Sequence, residues 1–252
     1  LTVLTEQLWK LRHTDFPFAL DRLRFPSPVL RFENLMILSL RIPHAKYGMI
    51  EHVFLGLLRG SSLNVKNTET PLIHQKMRYI FEMRSMLENC YDYNEVVRIF
   101  GSTPKFELFR SSRKELIQIC DGLLSVNNPN NIYCFQIDTR ISGVLKLMVV
   151  MPTSLLNEEA IEQTADFLKA KIPHQSCEWI EARGSEKSRL HFEFELQEDF
   201  QGKSYFPSFD LLQFEGEISG LIKPWETQLR ELLRNQHPGE EGTQLYERYV
   251  PL

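Results

Sequence analysis

This chain has few of the features that assign a chemistry directly. Only four cysteines occur in 252 residues, at positions 90, 120, 134 and 177. They are too sparse and too widely spaced for a disulfide scaffold or a zinc knuckle, which predicts reduced and mostly buried thiols. Neither charge dominates. The 29 Lys and Arg against 33 Asp and Glu give a formal net charge of -4, so there is no general pull toward nucleic acid or an anionic membrane surface. No Asn-x-Ser/Thr acceptor occurs, and no apolar run approaches the roughly 18 residues of a membrane span. The simplest expectation is a cytoplasmic protein.

Catalytic signatures are equally scarce. There is no G-x-G-x-x-G or G-x-x-x-x-G-K-[ST] phosphate fingerprint, no G-x-S-x-G elbow, no H-E-x-x-H and no C-x-x-C. The nearest glycine-rich stretch is LGLLRGSSLN. Arg59, Gly60, Ser61, Ser62 and Asn64 there offer a guanidinium, hydroxyls and backbone N–H groups to an anionic effector or an interface. The plainer interpretation is a strand ending in a polar turn. His44 and His52 flank a turn, His74 has no ligand partner one helical turn away, and His174 with Cys177 and Glu178 is the one spaced pair of metal-ligand type. Glu193 and Glu195 share a strand face but fit solvated or ion-paired carboxylates better than an acid–base pair. Tyr205, Phe206 and Phe209 beside Pro207 suggest tethering anchors. No catalytic, cofactor-binding or metal-binding residue is assigned.

The apolar pattern divides the chain. Leu4, Leu8 and Leu11 mark a short helix, and VLRFENLMILSLRI (29–42) and MIEHVFLGLL (49–58) are strands around a turn, IPHAKYG. Pro71 opens a helix whose apolar side is Leu72, Met77, Ile80, Phe81 and the stretch from Met83 to Leu87, with Lys76, Arg78 and Arg84 turned elsewhere. A second helix covers 93–100. Phe106 and Phe109 bracket an ELF block that clamps the next helix. That helix is capped by Ser111 or Ser112 with Glu115 as box partner, and Leu116, Ile119, Cys120, Leu123 and Leu124 form its buried stripe. NNPNN (127–131) is the best internal boundary.

Beyond it the order is β-β-α-β-β. IYCFQID and VLKLMVVMP are strands, the second apolar nearly throughout and therefore central. NEEAIEQTADFLKAKI is a helix capped by Asn157, and CEWIEAR and RLHFEFEL are the last two strands. The alternation of Leu190, Phe192, Phe194 and Leu196 against Arg189, His191, Glu193 and Glu195 predicts a sheet with one covered and one wetter face. A helix over 214–234 would lie on the covered face and complete an α+β sandwich of the ferredoxin type.

Several blocks, taken in order, resemble the large bacterial NAD-specific glutamate dehydrogenases. They are FLGLLRGSSLN (54–64), PLIHQKMRYIFE (71–82), IFGSTPKFELFRSSRKELIQICDGLL (99–124), the run 132–172 with its VVMP step, RLHFEFEL (189–196), and 224–252 with Trp225, Gly242 and Tyr249. The likeness covers roughly residues 51–252. Residues 1–50 depart from it, with FENLMILSLRI and IPHAKYG in place of the usual lead-in strand.

The resemblance implies ferredoxin-like (ACT-like) sheets with helical connectors in a non-catalytic regulatory or scaffolding region. Its implied divisions are a partial ACT-like segment over 1–70, a helical connector over 71–128, an ACT-like domain with its following helix over 129–235, and the start of a linker helix over 236–252. The whole enzyme would transfer hydride from L-glutamate to NAD+ in a domain not contained here; no Met opens the chain, and it stops soon after a strong helix, which also suggests a longer protein. Implied partners are neighbouring domains, further copies of the chain and an amino-acid effector, with no nucleic acid and no membrane. The alternatives are a free-standing amino-acid-sensing or structural interaction domain, or a small-molecule enzyme using His52 or His174.

Overall fold

A computed structural model describes residues 18–26, 34–57, 65–139, 143–196, 210–223 and 225–237. The helix expected over residues 3–11, the RISG turn and the aromatics Tyr205, Phe206 and Phe209 lie outside or largely outside these residues. The fold is α+β, with two separate antiparallel sheets and helices. It divides into two compact units, 1–93 with 103–113 and 94–102 with 114–252.

In the first unit, β1 (Phe18–Pro26), β2 (Asn34–His44) and β3 (Gly48–Gly56) form a sheet in that order. Gly48, at φ 75°, takes the left-handed conformation that closes the β2–β3 hairpin opposite His44. Pro43 stands in β2 rather than in the turn. It lies beyond the last β1 partner, so its missing N–H interrupts no ladder on that side. Asp21, Arg22 and Arg24 interrupt the apolar pattern of β1, so no periodicity in the sequence marks it as a strand.

Helix α1 (Pro71–Met83) starts with proline in its first turn and buries Ile73, Met77 and Ile80. Leu72, Met83 and Leu87, expected on the apolar side, are 42%, 58% and 78% exposed. The helix ends before Leu87, in a paired C-terminal turn where Met86 N–H donates to Phe81 O (2.9 Å) and Ser85 N–H to Glu82 O (3.2 Å). Ser85 holds φ 48° there, and the chain turns away. Helix α2 (Tyr91–Ser102) follows, and the ELF block proves to be a helix of its own, α3 (Lys105–Arg110). Phe106 is buried and Phe109 half-buried.

In the second unit, α4 (Arg113–Leu124) precedes β4 (Tyr133–Ile137) and β5 (Val144–Pro152). Helix α5 (Glu158–Lys171), β6 (His174–Ala182), β7 (Lys187–Leu196) and α6 (Leu211–Leu221) follow. The sheet order is β4-β5-β7-β6, antiparallel throughout, so α5 connects β5 to β6 while β7 lies between them. Asn157 caps α5 as expected, its Oδ1 accepting from Ala160 N–H at 2.7 Å. On one face Leu147, Val149, Phe192 and Phe194 pack against Leu168 of α5 and Ile218 of α6. Ile161 and Phe167 are half-buried against this core.

Two expectations are corrected. The helix expected over 214–234 is two helices, α6, which ends at Leu221, and α7 (Trp225–Gln236); the sequence between their bounds includes a proline, which has no N–H to give to a helical ladder. The sheet is also covered on both faces at its central strand, β5. All nine residues of β5 are buried, because α4 packs on the face that carries Phe135 and Met148. Gly122 allows that approach: a Cβ there would stand 3.2 Å from the Phe135 ring and 3.3 Å from the Met148 methyl.

Phe192 is 1% exposed between α5 and its strand neighbours. Phe192→Ala is expected to destabilise the fold by about 3–5 kcal/mol in denaturant titration. A loss below about 1 kcal/mol would contradict this packing.

Candidate functional site

The loop singled out in the sequence, Arg59, Gly60, Ser61, Ser62 and Asn64, lies outside the described residues. β3 delivers the chain as far as Gly56 and Leu57. On the far side, Val65 O accepts from Lys105 Nζ, and Asn67 Nδ2 donates to Thr103 O at 3.2 Å, so the exit is tied to the start of α3.

Helix α3 is in turn held by Lys76. Its ammonium donates to Leu108 O (2.7 Å), Phe109 O (2.8 Å) and Ser111 O (2.7 Å). A six-residue helix leaves its last carbonyls without intrahelical donors, and a cation there satisfies them and meets the negative end of the helix dipole. The sequence pattern had turned Lys76 away from the core; the structure turns it inward, to where the carbonyls converge.

The second unit gathers charge on the sheet face beneath α4. Lys146 is 8% exposed. Its Nζ lies 2.8 Å from Glu115 of α4 and 3.6 Å from Glu193 of β7. Arg189, 2% exposed, donates to Ile99 O (2.9 Å) and Ser102 Oγ (3.1 Å) at the end of α2. Burial pulls its guanidinium down to about 10, opposed by Cys120 and Glu95 nearby. Lys187 reaches Leu123 O near the end of α4 at 3.5 Å. The signal for this cluster was a single lysine inside the otherwise apolar VLKLMVVMP, but nothing local said which carboxylates would face it.

The other residues considered do not converge. His174 Nδ1 is 2.7 Å from Ile172 O and its ring packs edge-on to Phe194, while Cys177 lies half-buried against the core. His52 is exposed on β3, His44 stacks on Tyr47, and His74 is exposed on α1. Glu195 is half-buried and accepts from Ser176 Oγ at 3.1 Å. Among the described residues no group of three or more His, Cys, Asp or Glu side chains could hold a metal ion, and no helix is long and apolar enough to cross a membrane.

Residues 70–128 match the family model "Glutamate dehydrogenase, helical motif 1". That stretch runs from the cap of α1 to just past α4. Over 187 residues, 73% of this chain, the sequence is 21% identical to an NAD-specific glutamate dehydrogenase of Halomonas elongata. The aligned part is 10% of that relative's length.

Two expectations follow from these contacts. Lys76→Met should cost about 1.5–3 kcal/mol, the range for hydrogen bonds to a charged group, read as a lowered denaturation midpoint. Burial first of all raises Cys120 and Cys134 to about 12 and Cys177 to about 11. Thiolate is therefore disfavoured in the folded chain at about pH 8. A thiol reagent should reach Cys120 and Cys134 only after denaturation; prompt labelling of either in the native chain would contradict their burial.

Proposed function

We propose that this chain is a non-catalytic regulatory or scaffolding region of an NAD-dependent glutamate dehydrogenase, the whole enzyme converting L-glutamate, NAD+ and water to 2-oxoglutarate, ammonium and NADH. The observation that carries the proposal is the glutamate dehydrogenase helical motif over residues 70–128, and the Halomonas relative supports it. Catalysis and NAD binding would belong to another part of the same polypeptide, and the location would be cytoplasmic. A homo-oligomer and neighbouring domains of the same chain are the proposed partners, with no nucleic acid and no membrane.

The finer fold assignment belongs to the same proposal. The order β4-β5-β7-β6, with α5 joining β5 to β6 around an intervening β7, has the split βαβ arrangement of ferredoxin-like sheets. That supports an ACT-like reading of 129–235, with 1–70 a partial counterpart, 71–128 a helical connector and 236–252 the start of a linker helix. An amino-acid effector would bind at Arg59–Asn64. Regulation requires that such a ligand bind two conformations with different affinity.

The alternative is a free-standing amino-acid-sensing or structural interaction domain. A glycine-rich NAD fingerprint in the same reading frame separates the two, being required by the first and absent from the second.

Supplied with L-glutamate and NAD+, the purified chain should form no NADH and give no saturable NAD isotherm in the micromolar range; turnover above blank would refute the non-catalytic assignment. A thermal-shift screen of the amino acids, repeated with Arg59→Ala, tests the effector. A shift from one amino acid that vanishes in the variant assigns sensing to this loop. No shift from any leaves the scaffolding role.

A further inference from the structure

The two sheets end in four edge strands, and three of them are blunted. β1 carries an irregularity between Arg22 and Pro26. β4 meets α6, whose Glu215 carboxylate accepts the Cys134 N–H at 2.8 Å. β6 has a bulge between His174 and Ser176 and carries Glu178 and Glu181. These are the ordinary means of keeping an edge from recruiting another strand. β3 has neither a register irregularity nor a helix on its edge, and its one charged residue at neutral pH, Glu51, is paired with Arg41 of β2. Its nine residues pair with β2 without a register break, and it contains no proline and no lysine. Among the described residues no strand lies along its other side. Met49, Val53, Phe54 and Leu55 are 58%, 40%, 53% and 53% exposed.

The sequence of this edge, GMIEHVFLG, is close to a chemical palindrome about His52. We propose that β3 is a self-pairing edge, joining antiparallel to β3 of a second copy across a two-fold axis at His52. Gly48 then faces Gly56, Met49 faces Leu55, Ile50 faces Phe54, and Glu51 faces Val53. An isologous contact requires this self-complementarity, because each residue must accept its partner twice. The faces agree as well. The β2 register puts Ile50, His52 and Phe54 on one side of the sheet and Met49, Glu51, Val53 and Leu55 on the other, and every proposed pair joins residues of one side.

Charge selects the same register. A shift centred on Glu51 would set two carboxylates directly opposite. Centred on His52, each Glu51 opposes a valine and keeps its own counter-ion, Arg41, at 3.6 Å.

A ladder of this length is about 30 Å long, and its contact strip falls short of the roughly 800 Å² per partner of a standard interface. The association is therefore weak and micromolar in an isolated chain, strengthened where other contacts bring copies together. It rests on the geometry of β3 and is independent of the dehydrogenase assignment.

Sedimentation velocity of the 252-residue chain, up to about 200 µM, should show a concentration-dependent dimer. Cysteine crosslinking then tests the register against the background of the unsubstituted chain. Directly opposed residues are about 4.5–5.5 Å apart at Cα, within disulfide range. His52→Cys should therefore give an oxidised dimer. Leu55→Cys should not, because position 55 of one copy would stand about 20 Å from position 55 of the other. An equal mixture of Met49→Cys and Leu55→Cys chains should crosslink between unlike chains only. All three positions are exposed, so the substitutions leave the core intact. A chain that stays monomeric over this range overturns the proposal, and so does His52→Cys that crosslinks no better than Leu55→Cys. A dimer with no crosslink at 52 also overturns it, since association would then use another surface.

Discussion

The second unit depends on the burial of β5 on both faces. Nine consecutive buried residues in a central strand leave neither side of that strand to water, so each face needs its own cover there. Helices α5 and α6 supply one, with Leu168, Phe214 and Ile218 in the main core. Helix α4 supplies the other, and Gly122 sets how closely it can approach. Once that second face is closed, the polar groups on it lose water. Lys146 and Arg189 must then find partners inside, because a buried charge without them is among the costliest features a fold can carry. Glu115, Glu193 and the end of α2 answer this requirement.

One device recurs through the region that resembles the glutamate dehydrogenase helical motif. The C-terminal carbonyls of α2, α3 and α4 each receive a donor from a long cationic side chain: Arg189, Lys76 and Lys187 respectively. Short helices gain little from propensity and much from tertiary contacts. Capping by a distant cation ties the placement of each helix to the rest of its own unit. The three cations are thereby committed to holding helix ends in place. Val65 and Asn67 are tied in the same way to the segment that starts α3, through Lys105 and Thr103.

Local chemistry alone determined much of the fold. Pro71 marked the start of α1, Asn157 capped α5, and the apolar run 144–152 was recognisable as a central strand because no polar face interrupts it. The stripe Leu116, Ile119, Cys120 and Leu123 placed the buried side of α4. Alternation in β7 gave the correct inward residues, Leu190, Phe192, Phe194 and Leu196. These signals rest on periodicity and capping, which act within a few residues. Of the candidate site, the composition of Arg59–Asn64 was legible in the sequence, whereas the ties of Val65 and Asn67 to Lys105 and Thr103 join distant segments that no local pattern marks.

Only the tertiary structure decided what long-range partners do to ambiguous residues. The alternation that gave β7 its inward face also labelled Arg189 and Glu193 as wet, and α4 with the end of α2 overruled it by covering that face. Lys76 looked like a solvent-facing helix residue until α3, more than thirty positions away, presented its carbonyls. β1 was hidden by its charges and becomes a strand through pairing with β2, and the bareness of β3 is visible only beside three protected edges. The sequence specifies periodicity and caps because those interactions are local. Which face is covered, and which charge meets which partner, depends on contacts between distant segments that no local pattern encodes.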